Sequence, residues 1–250
     1  MARRYPPKDL KLLWGAAAGR CSFPDCHQEC FVEAAPPDEA AIIGKIAHIF
    51  SHSDRGPRAN PHLSPSDRDS YHNWILLCGT HHDLVDVQPN TYSHLDLRRW
   101  KQNHEQWVGQ RLEVEMPAVT FAELQVVTSA ILVAPSPPST DFTPPDPQEK
   151  MVRNSLTEGL RFLITLGLGK FKEVEAFVQH VASIDPTFPE RLRDGFVVEY
   201  NRLSADGFQG DSLFEGLREF ANGGSTEFRK QAAALAVLVY LFQKCEVFEG

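Results

Sequence analysis

"LLCGTHHDLVD" (Leu76 to Asp86) places a cysteine, two adjacent histidines and two aspartates within nine positions. The apolar run "NWILLC" leading into it reads as a short strand, and "THHDLVDV" opens a helix. Helical side chains four apart share a face, so His82 and Asp86 point together, while His81 points elsewhere. The stretch is therefore expected to serve two sites, and the rest of the chain has to supply their other halves.

The first half comes from "RCSFPDC", where Cys21 and Cys26 have four residues between them on a turn containing Pro24. Cys78 and His81 have two residues between them at the strand-to-helix junction. Structural zinc takes four thiolate or imidazole ligands in a tetrahedron, commonly delivered as two close pairs. Cys21, Cys26, Cys78 and His81 make such a Cys3His set, with Cys30 and His27 as spare candidates. Five cysteines, three of them within ten residues, read as metal ligation rather than a disulfide framework.

The second half is sought upstream. "CFVEA" (Cys30 to Ala34) and "AIIGKIAHIF" (Ala41 to Phe50) fit strands. His48 is polar amid Ile46, Ala47, Ile49 and Phe50, on a strand expected to lie opposite the helix that bears His82 and Asp86. An imidazole and a carboxylate together suit a catalytic divalent cation. Between the strands, "SHSDRGPRANPHLSPSDRDS" (Ser51 to Ser70) is a long loop rich in breakers, in which Arg55 and Arg58 are candidate phosphate contacts. His52, His62 and His72 are expected at the surface. Helices are expected over Asp9 to Arg20 and over Leu95 to Glu113, the latter with Trp100 and Trp107 on one core-facing side.

Charge is split unevenly. Residues 1–116 hold 13 Lys and Arg against 15 Asp and Glu, whereas residues 117–250 hold 12 against 18. Nine of the ten histidines lie at or before His104, so the chemistry is expected in the first part. Low basicity argues against tight unaided nucleic-acid binding. "APSPPSTDFTPPDPQEK" (Ala134 to Lys150), with six prolines, reads as a spacer. Beyond it, apolar residues recur at three- and four-residue spacing, and His180 and Cys245 stand isolated. The organisation expected is a chemical domain over 1–116, a connecting segment and linker over 117–150, and a helical domain over 151–250. No apolar run is long enough to span a membrane, and "MARRYPPKDL" lacks the apolar stretch of a signal peptide, so a cytoplasmic protein is expected.

"CSFPDC", "AHI" and "HNWILLCGTHHDLVD" together resemble the HNH (ββα-metal, His-Me finger) endonucleases of the zinc-stabilised type, over roughly Leu12 to Trp107. The resemblance implies an α+β fold: a ββα-metal, treble-clef-like nuclease domain with flanking helices, followed here by an all-α domain. It gives His48 the role of general base, and Asn73 that of fixing the loop and orienting that base. His82 and Asp86 become ligands of Mg2+ or Mn2+ beside the structural Zn2+, and DNA becomes the substrate. Many relatives carry Asp or His just before the base; here that residue is Ala47. The pattern "AAALAVLVYLFQKCEVFE", with "EKMVRNSLTEGL", is similar to C-terminal domains of effectors in ABC-type three-component antiphage systems. That likeness implies docking of an ABC or SMC-like ATPase, or homo-oligomerisation. Two alternatives stay open: a non-catalytic zinc-stabilised nucleic-acid-binding module, and an HNH nuclease gated by a nucleotide second messenger.

Overall fold

The computed structural model describes residues 5–132, 147–244 and 247. The chain divides into two compact units, Met1–Val108 and Gly109–Gly250.

In the first unit, α1 (Pro7–Ala16) starts on a proline, whose missing N–H costs nothing at a helix N-terminus. It stops short of the expected Arg20 because Ala18 and Gly19 adopt positive φ of 51° and 66° and turn the chain into the cysteine loop. β1 (Phe31–Val32) pairs antiparallel with β2 (Ala41–Ile42). The run Ala41 to Phe50, expected as one strand, breaks at Ile43: the N–H groups of Ile43 and Gly44 both donate to the Cys30 carbonyl at 2.9 Å. A side chain at Gly44 would put its Cβ 2.5 Å from that of Cys30, so only glycine permits this approach.

The chain then enters β3 (Gly44–His48), which pairs antiparallel with β4 (Trp74–Cys78) from Gly44↔Cys78 to His48↔Trp74. All five β4 residues are buried, as a continuous apolar run predicts. The long loop between the strands carries a one-turn helix, α2 (Pro65–Arg68), and a 3-10 turn at Tyr71–Asn73. α3 (Gly79–Val87) follows β4 directly and packs on both strands. α4 (His94–Glu115) comes next. Leu13, Ile49, Trp74 to Leu77, Val85 and Leu97 form the core of this unit, with Trp14, Phe23 and Trp100 against it.

The second unit is helical: α5 (Phe121–Ile131), α6 (Pro147–Arg153), α7 (Glu158–Leu168), α8 (Phe171–Ala182), α9 (Phe188–Ala205), α10 (Gly210–Asn222) and α11 (Phe228–Gln243). Its axis is α11, buried along almost its whole length from Gln231 to Phe242 and flanked by α5, α7, α8 and α10. The buried Lys150 donates to the carbonyl of Phe242, one of the last acceptors of α11, which a cation suits. The expected connecting segment from residue 117 begins differently. Residues 121–131 form α5, whose Leu124, Val127 and Ile131 are buried, so this stretch belongs to the helical core. Most of the proline-rich spacer and Cys245 lie outside the described residues.

Candidate functional site

The cysteine loop is closed on itself. The Cys21 N–H donates to the Gln28 carbonyl, that of Cys26 to Phe23, and that of Ser22 to Leu76 on β4, which seats the loop beside the strand. Asp25 and His27 take positive φ of 59° and 49°, a conformation these residue types tolerate better than most. Across the junction, Cys78 is the residue preceding the first turn of α3, and His81 lies within that turn.

The four expected ligands meet. Ligating atoms of Cys21, Cys26, Cys78 and His81 all lie within 4.8 Å of one another. His81 Nδ1 is 3.6 Å from Cys21 Sγ and 3.2 Å from Cys78 Sγ. Bond lengths of about 2.3 Å to sulfur and 2.0 Å to nitrogen give a tetrahedral S···N edge of about 3.5 Å, so the set fits zinc. The Phe23 ring stacks on His81 with centroids 3.9 Å apart and fixes the imidazole plane. Burial pushes the Cys21 thiol well above its usual range, with Cys26 and Cys78 pushing the same way. Burial also lowers the His81 imidazole below its usual range, which favours the neutral form a metal requires.

Cys30 is buried too, its thiol pushed up to about 12 chiefly by burial, but it stands outside this group with its Sγ toward the Gln28 carbonyl. His27 goes elsewhere. Its ring stacks on Trp107 at 3.8 Å, and its Nδ1 lies 3.3 Å from Nδ1 of the buried His104, whose Nε2 lies 3.1 Å from the Ala17 carbonyl.

His48 does not face α3. Side chains alternate along β3, and Lys45 is the residue that reaches α3, with Nζ 2.8 Å from Asp83. His48, three positions on, turns to the opposite side. There its Nε2 lies 3.3 Å from Trp74 Nε1 and 3.4 Å from Asp69 Oδ1, and the same carboxylate oxygen is 3.0 Å from His52 Nδ1. Asn73 sits beside this pocket: its side chain accepts from the Phe50 N–H and donates to the carbonyls of Phe50 and Arg68, tying the end of β3 to the loop.

Other expected site residues are placed differently. Arg58, expected to face phosphate, is turned into the protein. Its side chain is 3% exposed, and its guanidinium donates to the carbonyls of Ile49, Val85 and His48 and to the Asp86 carboxylate at 2.7 Å. Asp86 is thereby committed to a cation of the protein itself. His82 Nδ1 lies 3.1 Å from Asp83. Among the described residues neither His82 nor Asp86 joins a group of three potential ligands. Ala47, beside His48 on β3, carries no ligand atom. His52, expected at the surface, is half-buried in the His48 pocket, whereas His62 and His72 are exposed. Arg55 is exposed. Asp69 carried no signal in the sequence. His52 offered one, since "HIFSH" spaces two histidines four apart.

A sequence model of the HNH endonuclease family matches residues 21–87, the span from Cys21 to the end of α3. The chain thus carries an HNH endonuclease domain with a candidate Cys/His metal site, and a nucleic acid is the substrate class this implies. No curated protein matches the chain. No described helix is long and apolar enough to cross a membrane.

Proposed function

We propose that this protein is a metal-dependent endonuclease that hydrolyses DNA phosphodiester bonds. The observation that carries the reading is the coincidence of the HNH match with an assembled Cys3His group and a buried His48 at the end of β3. Structural zinc held by Cys21, Cys26, Cys78 and His81 joins the cysteine loop to the β4–α3 junction and fixes the domain. His48 is the residue on which activation of the attacking water depends; the family resemblance gives it the role of base. Asn73 keeps it in place by accepting from the Phe50 N–H and donating to the Phe50 carbonyl. Exposed Arg55 remains the candidate contact to phosphate.

The helical unit is the proposed docking surface for an ATPase partner in a cytoplasmic antiphage system, a reading supported by the sequence likeness of its terminal helices alone. One observation favours a second reading, a zinc-stabilised nucleic-acid-binding module without catalysis: Asp86 is bound by Arg58, and among the described residues neither it nor His82 joins a group of three candidate ligands.

A plasmid-nicking assay with Mg2+ or Mn2+, with candidate partner proteins present, separates the two. Cleavage by the wild type that falls by about 100-fold or more in His48→Ala is the expected result. Equal inactivity of both proteins, with DNA binding retained, would establish the binding module instead.

A further inference from the structure

The solvent face of α4 is unlike the rest of this acidic chain. Arg98, Arg99, Gln102, Asn103 and Gln106 recur at spacings of one and three, which places them on one side of the helix, and all five are exposed. Between Leu95 and Gln106 no exposed residue is acidic. The two carboxylates that border the face are engaged by neighbours: Asp96 by Ser93 and Arg99, and Glu105 by Lys101 and Tyr71. In a chain of net charge -8, the exposed polar groups here are guanidinium and amide alone.

Arg98 is held in place with its donors unused. Its guanidinium stands 5.0 Å over the Phe50 ring, which also stacks on His94 with centroids 4.5 Å apart. A guanidinium over a ring keeps its N–H edge for a pair of oxygens. Among the described residues Arg98 makes no hydrogen bond or ion pair, whereas Arg58 and Arg68 give their donors to carbonyls and carboxylates of the protein. Phe50 is itself fixed by Asn73 and lies two residues beyond His48, a backbone span of at most about 7 Å. The face therefore begins beside the proposed base.

Duplex DNA is the ligand whose chemistry these groups match. Arginine forks onto guanine O6 and N7 or onto phosphate, and asparagine and glutamine onto adenine N6 and N7. The five side chains rise over about 12 Å of helix, and an α-helix about 10–12 Å across enters the major groove of B-DNA, which is about 12 Å wide. The deep, narrow major groove of an RNA duplex does not admit one.

We propose that the face of α4 from Arg98 to Gln106 seats in the major groove of double-stranded DNA and so brings a phosphodiester to His48. The choice of DNA rests on the nuclease reading; the face itself lies beyond residues 21–87 and belongs to this chain's own helix.

The test measures binding of zinc-loaded, full-length protein to a short DNA duplex without added divalent cation. Fluorescence anisotropy over a range of salt reads affinity, and protection of guanine N7 from dimethyl sulfate reads occupancy of the major groove. The expected result is binding at low salt with N7 protected. Arg98→Ala and Arg99→Ala should each lose about tenfold in affinity and lower the salt slope by about one. Gln102→Ala combined with Asn103→Ala should relax sequence preference and leave the salt slope unchanged. Wild-type zinc content and circular dichroism show that a variant is folded, and Arg98→Gln or Arg99→Gln replaces one that is not. Binding that is absent at low salt, unchanged in every α4 variant, equal on duplex RNA, or achieved with guanine N7 unprotected overturns the proposal. Cleavage at the wild-type rate in all the α4 variants also overturns it, while the nuclease reading stands. A protein that binds DNA through this face yet never cuts it, with Mg2+ or Mn2+ and partners present, refutes the nuclease reading while the face stands.

Discussion

The Cys21/Cys26/Cys78/His81 group and the His48/His52/Asp69 pocket lie at opposite ends of one two-stranded ribbon. Cys78 pairs with Gly44 at one end and His48 with Trp74 at the other, a separation of about 13 Å along the strand. The first group is made of two short local pairs, thiolate-rich and closed by a stacked phenylalanine. The second combines a strand residue with two residues of a long loop. A site made from local pairs is shaped largely by its own turns, whereas a site made from a loop needs something else to hold the loop. Here two arginines do so: Arg58 reaches back to β3 and α3, and Arg68 binds the carbonyls of His52, Leu63 and Asn60 and the Asp54 carboxylate.

The contrast can be broken most severely at the first group. Cys21→Ala or Cys78→Ala is expected to lose zinc and unfold the first unit, because structural zinc contributes on the order of 10 kcal/mol or more of folding free energy. Metal analysis with circular dichroism reads this, and zinc content unchanged in both variants would remove the assignment.

Next comes the loop clamp. Arg58→Ala leaves three carbonyls and Asp86 without their donor, an expected loss of about 4 kcal/mol in denaturant melts. Bound zinc should survive under native conditions. A neutral outcome would mean that the loop is held by Arg68 alone.

A third test uses pH on the buried His104, which belongs to neither group. Burial holds His104 at about 4, against 6.5 when exposed, so the folded state keeps it neutral where the unfolded chain protonates. Its folded pKa is depressed, so the stability it contributes is present above pH 6.5 and is lost as pH falls toward about 4, up to about 3 kcal/mol. His104→Phe should flatten that part of the stability–pH curve. A curve unchanged by the substitution would show that other groups control acid unfolding.

The smallest effect is expected at Arg55. Exposed and away from the clamp, Arg55→Ala should change stability by less than about 0.5 kcal/mol. It should weaken DNA binding and lower the salt slope by about one.

That Cys21, Cys26, Cys78 and His81 come together was legible because each pair is close in the chain, so spacing nearly fixes its geometry. The strands β3 and β4 and the helix α3 were legible for a related reason: their apolar patterns are local. The break at Ile43 was less so, because it depends on the approach of Gly44 to Cys30. Residues 121–131 likewise read as a connection until α10 and α11 gave their apolar face something to bury against.

What the sequence by itself determined is the pair of cysteine-bearing turns, the strand–loop–strand–helix order and His48 as the polar residue of an apolar strand. Which way His48 points, what it meets and what becomes of Arg58 and Asp86 were decided only by the tertiary structure. The reason is separation: Asp69 lies 21 residues from His48 and Asp86 lies 28 from Arg58, distances over which no local periodicity acts and only packing chooses the partner.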